Sequence, residues 1–170
     1  MPKLRRETGR GFAVTELAGV SLNNSLSETT LFSQVIEAGK MGTVKELGFE
    51  FFCMLTTPAL SLPSLTIRLK FGGNTLTVAN SLGIAASQSN EPFIVRGKIV
   101  NKASNSQVAY ACIEQGAASL PLVLGVASSF KGAKWSVDTS QDQTLSLTGQ
   151  FSLLSGGTTL TLENATIDLS

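Results

Sequence analysis

Between residues 64 and 79 the chain reads SLTIRLKFGGNTLTVA, with apolar and polar side chains alternating on both sides of a Gly-Gly pair. Such alternation is the signature of a strand with one buried face. A Gly-Gly pair readily supplies the two positive φ angles of a tight hairpin turn. With Gly72 and Gly73 as that turn, Leu69 faces Leu76, Ile67 faces Val78, Arg68 faces Thr77 and Lys70 faces Thr75. A slip of one residue would mix the apolar and polar faces. The segment QFSLLSGGTTLTLENATIDLS repeats the pattern. It predicts a second hairpin turning at Gly156 and Gly157, with Leu153 facing Leu160 and Phe151 facing Leu162. Past Leu162 the apolar positions change phase to Ala165, Ile167 and Leu169. One extra residue shifts alternation, so a bulge is expected near Glu163 and Asn164.

Further strands are expected at residues 30–36, 48–57, 93–100, 107–114 and 120–127. GFEFFCMLT places Phe49, Phe51, Cys53 and Leu55 on one face. LPLVLGVA is apolar on both faces. It reads as a strand buried on both sides, or as one whose outer face a second subunit covers. No helical period stands out, and turn signals recur about every ten residues, as in a sandwich. The expected fold is all-β: an antiparallel β-sandwich, jelly-roll-like, of about eight strands. Residues 1–28 lack clean alternation and read as an extended N-terminal arm, leaving residues 29–170 as the sandwich domain.

Composition sharpens this picture in two ways. Of 170 residues, 42% are hydrophobic and only 15% charged, which suits a sheet protein with neutral outer faces rather than a disordered chain. The net charge of +1 is uneven. The first ten residues hold Lys3, Arg5, Arg6 and Arg10 against Glu7, or +3, so the rest carries −2. A basic leader on a slightly acidic body points to a tail that meets something negative. Cys53 and Cys112 lie far apart in apolar stretches and read as buried thiols rather than a disulfide or metal pair. No apolar core follows the basic leader and no stretch matches a membrane span, so a soluble protein made in the cytoplasm is expected, with no membrane partner.

Candidate chemistry is sparse. The chain has no histidine, which removes His-based triads and most catalytic zinc sites. KFGGN and LSGGT are hairpin turns rather than phosphate loops. Asp138, Asp142 and Glu163 are the candidate acidic cluster, but SVDTSQDQT lacks the ligand pattern of a calcium loop and reads as a polar turn capped by Asp. Trp135, with Lys134 and Asp138 nearby, is the candidate sugar-recognition trio, but a tryptophan at the core's edge is the favoured reading. Arg68, Lys70, Arg96 and Lys98 alternate outward and would form a basic stripe if their strands were neighbours. Isolated cations of this kind more often protect sheet edges, so nucleic acid is not an expected partner. No cofactor or metal is expected.

Several segments in order carry a resemblance. They are TLFSQVIEAGKMGT, LPSLTIRLKFGGNTL, EPFIVRGKIV, WSVDTSQDQTLSLTGQFS and TLTLENATIDL. Together, over roughly residues 29–169, they resemble a β-sandwich domain of tailed-bacteriophage virion proteins. That group opens on a strand of the tlFsktIpAgtlg type, carries a V-D-T-x-x-D-Q-T-L segment before its penultimate strand, and closes on L-T-L-x-x-A-x-I-x-L. The resemblance implies a virion surface or structural component, often trimeric and without enzyme activity. A capsid decoration (cement) protein is the leading expectation. Its arm (Lys3, Arg5, Arg6, Arg10, Phe12, Val14) would dock onto the major capsid protein or another virion protein. Leu120, Leu122, Val123, Leu124 and Val126 would line its subunit interface. The alternative is a receptor- or glycan-binding head-fibre or tail-fibre module, recognising through loops at 87–90, 102–106 or 134–143. The arm lies outside the shared pattern.

Overall fold

The computed structural model of the chain describes residues 4–8, 11–59, 63–84, 86–115, 128–154 and 156–170, with backbone alone at 4–8, 11–18, 81–83, 115 and 128–129. Its strands, in chain order, are β1 (Leu4–Thr8), β2 (Gly11–Asn23), β3 (Thr29–Ile36), β4 (Glu46–Thr56), β5 (Ser64–Phe71) and β6 (Asn74–Gly83). They continue as β7 (Glu91–Ala103), β8 (Ser106–Gln115), β9 (Ser128–Trp135), β10 (Gln143–Phe151) and β11 (Thr159–Leu169). Two antiparallel sheets form, a seven-stranded one in the order β1-β2-β11-β4-β7-β8-β9 and a four-stranded one in the order β3-β10-β5-β6.

Leaving out β1, β8 and β9 leaves eight strands. Numbered one to eight along the chain, they run 1-8-3-6 in one sheet and 2-7-4-5 in the other. That is the jelly-roll order, as the alternation and turn spacing predict. The three remaining strands widen the larger sheet, β1 beyond β2 and the β8–β9 pair beyond β7.

Alternation becomes the core directly. Leu47, Phe49, Phe51, Cys53 and Leu55 of β4 are buried against Leu65, Ile67, Leu69 and Phe71 of β5 and their neighbours. Phe51 bridges the sheets, its ring 5.2 Å from that of Phe32 on β3 and 5.6 Å from that of Phe49. The bulge expected near Glu163 is present, with the register of β11 shifting between Leu162 and Asn164 against both neighbours. The Gly72-Gly73 turn has both φ angles positive, at 54° and 80°. Leu69↔Leu76, Arg68↔Thr77 and Lys70↔Thr75 pair as expected, but a bulge sets Ile67 opposite Ala79 rather than Val78.

Two expectations need correction. Gly156-Gly157 does not turn a hairpin, because β10 lies in the four-stranded sheet and β11 in the seven-stranded one. Phe151 pairs with Leu65 and is buried, whereas Leu153 and Leu154 are exposed. The alternating runs on either side of these glycines belong to opposite walls of the sandwich. Nor are residues 1–28 all arm. Gly11–Asn23 form β2, which pairs along β11 from Phe12↔Leu169 to Asn23↔Thr159 and supplies the first jelly-roll strand. Without β2, that side of β11 would be an unpaired edge. The alternation of β2 is hidden by an irregularity: Leu162 pairs with Val20 but Asn164 with Leu17, and Gly19 between them takes a φ of 54°. The strand expected at 120–127, and with it the interface residues Leu120, Leu122, Val123, Leu124 and Val126, lies outside the described residues.

Charges on the four-stranded sheet close on themselves. Glu28 accepts from Lys70 at 2.5 Å and from the Thr148 hydroxyl at 2.5 Å, and lies 3.6 Å from Arg68. The Lys70 hydrogen bond, then that of Thr148, holds the Glu28 carboxyl below its usual value. A lowered folded-state value means stability that is present above the unfolded value and lost as the pH falls through the folded one. Glu28→Gln is therefore expected to lower the thermal midpoint at neutral pH, with the gap to wild type closing in acid below the carboxylate range. Melts followed by circular dichroism across pH check this; a constant gap would mean lost packing alone.

Candidate functional site

The outer face of the seven-stranded sheet carries the most developed surface among the described residues. Register places side chains there in two rows. Asp168, Gly48, Lys98, Tyr110 and Gly132 form one, across β11, β4, β7, β8 and β9. Thr166, Glu50, Arg96, Cys112 and Phe130 form the next. Gly48 and Gly132 bring no side chain to the first row, so a groove of about 370 Å³ opens between the flanking groups. Tyr110 and Phe130 are diagonal neighbours whose rings stack at 5.7 Å and 28°. Phe130 is nevertheless 68% exposed.

Carboxylates already hold both cations of the groove. Arg96 lies 2.5 Å from Glu114, and Lys98 lies 2.6 Å from Glu46. These hydrogen bonds raise both cations above their ordinary values, so they stay charged at any physiological pH. Glu50 and Asp168 make no ion pair among the described residues. Cys112, expected as a buried thiol, falls on the outward phase of β8 and opens onto the groove, with its sulfur 3.7 Å from Glu114 Oε1. Cys53 points into the core, where burial pushes its thiol up to about 12 and leaves it inert. Both thiols are free.

The residues singled out in the sequence are scattered by comparison. Trp135 is buried at the core's edge opposite Gln107, so it offers no open platform, while Lys134 and Asp138 are exposed. Asp138 accepts from the Ser140 amide at 3.0 Å and its hydroxyl at 2.6 Å; these bonds lower its carboxyl and make it a turn cap. Asp142 Oδ1 accepts from the Ala38 amide at 2.8 Å. No metal-ligating cluster is found among the described residues. The turn at 137–139 is pinned from below by buried Gln107, which accepts from the Val137 amide at 2.8 Å and donates to the Val137 carbonyl at 3.0 Å and to Asn101 at 2.7 Å. Arg68 and Lys70 lie on one sheet and Arg96 and Lys98 on the other, so the basic stripe does not form. Of the docking residues, Arg5 and Arg6 lie in β1 and Phe12 and Val14 in β2; Lys3 and Arg10 lie outside the described residues. Among the described residues no helix is long and apolar enough to cross a membrane.

No protein-family model and no curated protein matches the chain. Solved structures with a similar course include the CBM2 module of the evolved Dit of Lactobacillus casei BL23 phage J-1 (10% identity, 80% of this chain and 67% of that one, TM-score 0.36). Lectin I from Ulex europaeus is similar at 11% identity over 94% of this chain and 86% of that one, with a TM-score of 0.41. The VP2 subviral particle of infectious bursal disease virus is similar at 14% identity over 95% of this chain but 41% of that one, with a TM-score of 0.34.

Proposed function

We propose that this chain is a non-enzymatic virion structural protein, a decoration (cement) protein that trimerises and binds the major capsid protein on the surface of a tailed-phage head. One observation carries the reading. The segments that resemble phage virion proteins fall on β3, the β5–β6 hairpin, β7, β10 and β11, in order, as framework strands of a jelly roll. Symmetric closure would bury the same patch on each copy, with the apolar run 120–127 as that patch. Docking would fall to residues 1–10. Their charge of +3 suits an acidic partner, and β1 is an edge strand whose free backbone groups suit addition to a partner's sheet.

Light scattering is expected to give about 53 kDa, three chains of 17.8 kDa. Removing residues 1–10 spares the β2–β11 ladder, so the truncated protein should keep that mass yet fail to co-sediment with undecorated heads of its phage. Undiminished co-sedimentation would overturn the docking role. The second reading, a receptor- or glycan-binding module on a head or tail fibre, is favoured by the open ring pair Tyr110–Phe130.

A further inference from the structure

We propose that the groove on the outer face of the seven-stranded sheet is a binding site for a neutral saccharide, with Tyr110 and Phe130 as its platform. The site goes beyond the decoration reading and holds whether the chain sits on a head or a fibre.

The ring pair is the first reason. Phe130 stacks on Tyr110 while keeping 68% of its surface in water. A large apolar ring left wet contributes little to its own fold. A pyranose has the matching shape: a C–H face that lies against an aromatic ring, and a rim of hydroxyls. Polar groups stand where such a rim would reach. Glu50, Asp168 and Thr166 accept on one side of the groove, and the unused donors of Arg96 and Lys98 lie along its middle. A volume of about 370 Å³ falls at the small end of ligand sites, which run from about 300 to 1,000 Å³.

Charge narrows the ligand class. Arg96 and Lys98 are each bonded to a carboxylate, Glu114 and Glu46, and the lining carboxylates left over are Glu50 and Asp168, so the groove offers no free cation among its lining residues. A phosphate, uronic acid or nucleic-acid backbone would meet repulsion from Glu50 and Asp168, and would have to displace a bonded carboxylate to reach either cation. A neutral polyol uses donors and acceptors together without breaking either pair. Each site would be weak, but many copies on one particle would engage a glycosylated surface together.

The test is calorimetric titration of the full chain with maltotriose, cellotriose, mannotriose and triacetylchitotriose, with trigalacturonate as the acidic comparison. At least one neutral trisaccharide is expected to bind in the range of about 0.01–1 mM, with Phe130→Ala weakening it by about tenfold or more. Gly48→Val fills the groove from its floor. An ideal Cβ at Gly48 meets only the Asp168 carbonyl at 3.6 Å, ordinary contact, so this variant should keep the wild-type melting temperature and lose binding equally. The bound sugar should also slow maleimide labelling of Cys112, the thiol that opens onto the groove. Binding by none of the neutral sugars at about 10 mM, binding that survives both substitutions, or tighter binding of trigalacturonate would each overturn the proposal. Loss of sugar binding leaves head binding untouched, so the two readings fail separately.

Discussion

Phe51→Ala is expected to cost about 3–5 kcal/mol, the range for deleting a large buried aromatic side chain. The position is fully buried in β4, at the middle of the seven-stranded sheet. Its ring touches Phe49 on its own strand and Phe32 on the opposite sheet. Truncation therefore removes a contact between the two walls, not only the transfer term of one ring. Strands held by ladders on both sides cannot close in to fill the gap, so the cavity should persist. Chemical denaturation is the check. A midpoint lowered with an unchanged slope is the expected result, since the loss is native-state packing. A cost below about 1 kcal/mol would mean that the sheets are not packed through this residue.

Gly97→Ala should cost about 3 kcal/mol, at the upper end of overpacking effects, although it adds only a methyl group. Gly97 sits in the interior of β7, between Arg96 and Lys98. A Cβ there would lie 2.0 Å from the Tyr110 carbonyl, 2.8 Å from Ala111 Cα and 2.8 Å from the Phe49 ring. Two of these three contacts are to the backbone of β8, which cannot rotate away. Relief requires β7 and β8 to separate or slip, and either would disturb the rows that place Tyr110 beside Lys98 and Cys112 beside Arg96. The variant should lose stability by denaturant melt, and its Cys112 should label with maleimide at an altered rate. Unchanged melting would show that the two strands are not held this closely.

Much of the framework was readable because burial on one face imposes a period of two on the sequence. β3, β4, β7, β8 and the β5–β6 hairpin all announce themselves in this way. β2 did not, because its register breaks beside Gly19, opposite the bulge of β11, and a broken phase looks like irregular chain. β9 lacks that signal for a different reason. As an edge strand it keeps Phe130, Lys131 and Lys134 in water and buries only Trp135 fully among its described side chains. Local alternation also cannot say whether two neighbouring runs pair, so the runs flanking Gly156-Gly157 look like one hairpin although they belong to different sheets.

The groove was harder still. Its key pair comes from β8 and β9, joined by a connection that lies outside the described residues, and only cross-strand register puts Phe130 beside Tyr110. A signal was present. Ala109, Ala111 and Ile113 set the inward phase of β8, which turns Tyr110 outward, where a large ring has no packing role of its own. Trp135 is the opposite case: the sequence favours a tryptophan at the core's edge, and its place at the end of β9 makes it core.

On the decoration reading, the most direct measurement is the disruption temperature of undecorated tailed-phage heads, taken with and without the purified protein. A protein that binds only the assembled shell stabilises it by mass action. The decoration account predicts a rise that saturates as the shell fills. An unchanged disruption temperature at saturating protein would contradict it.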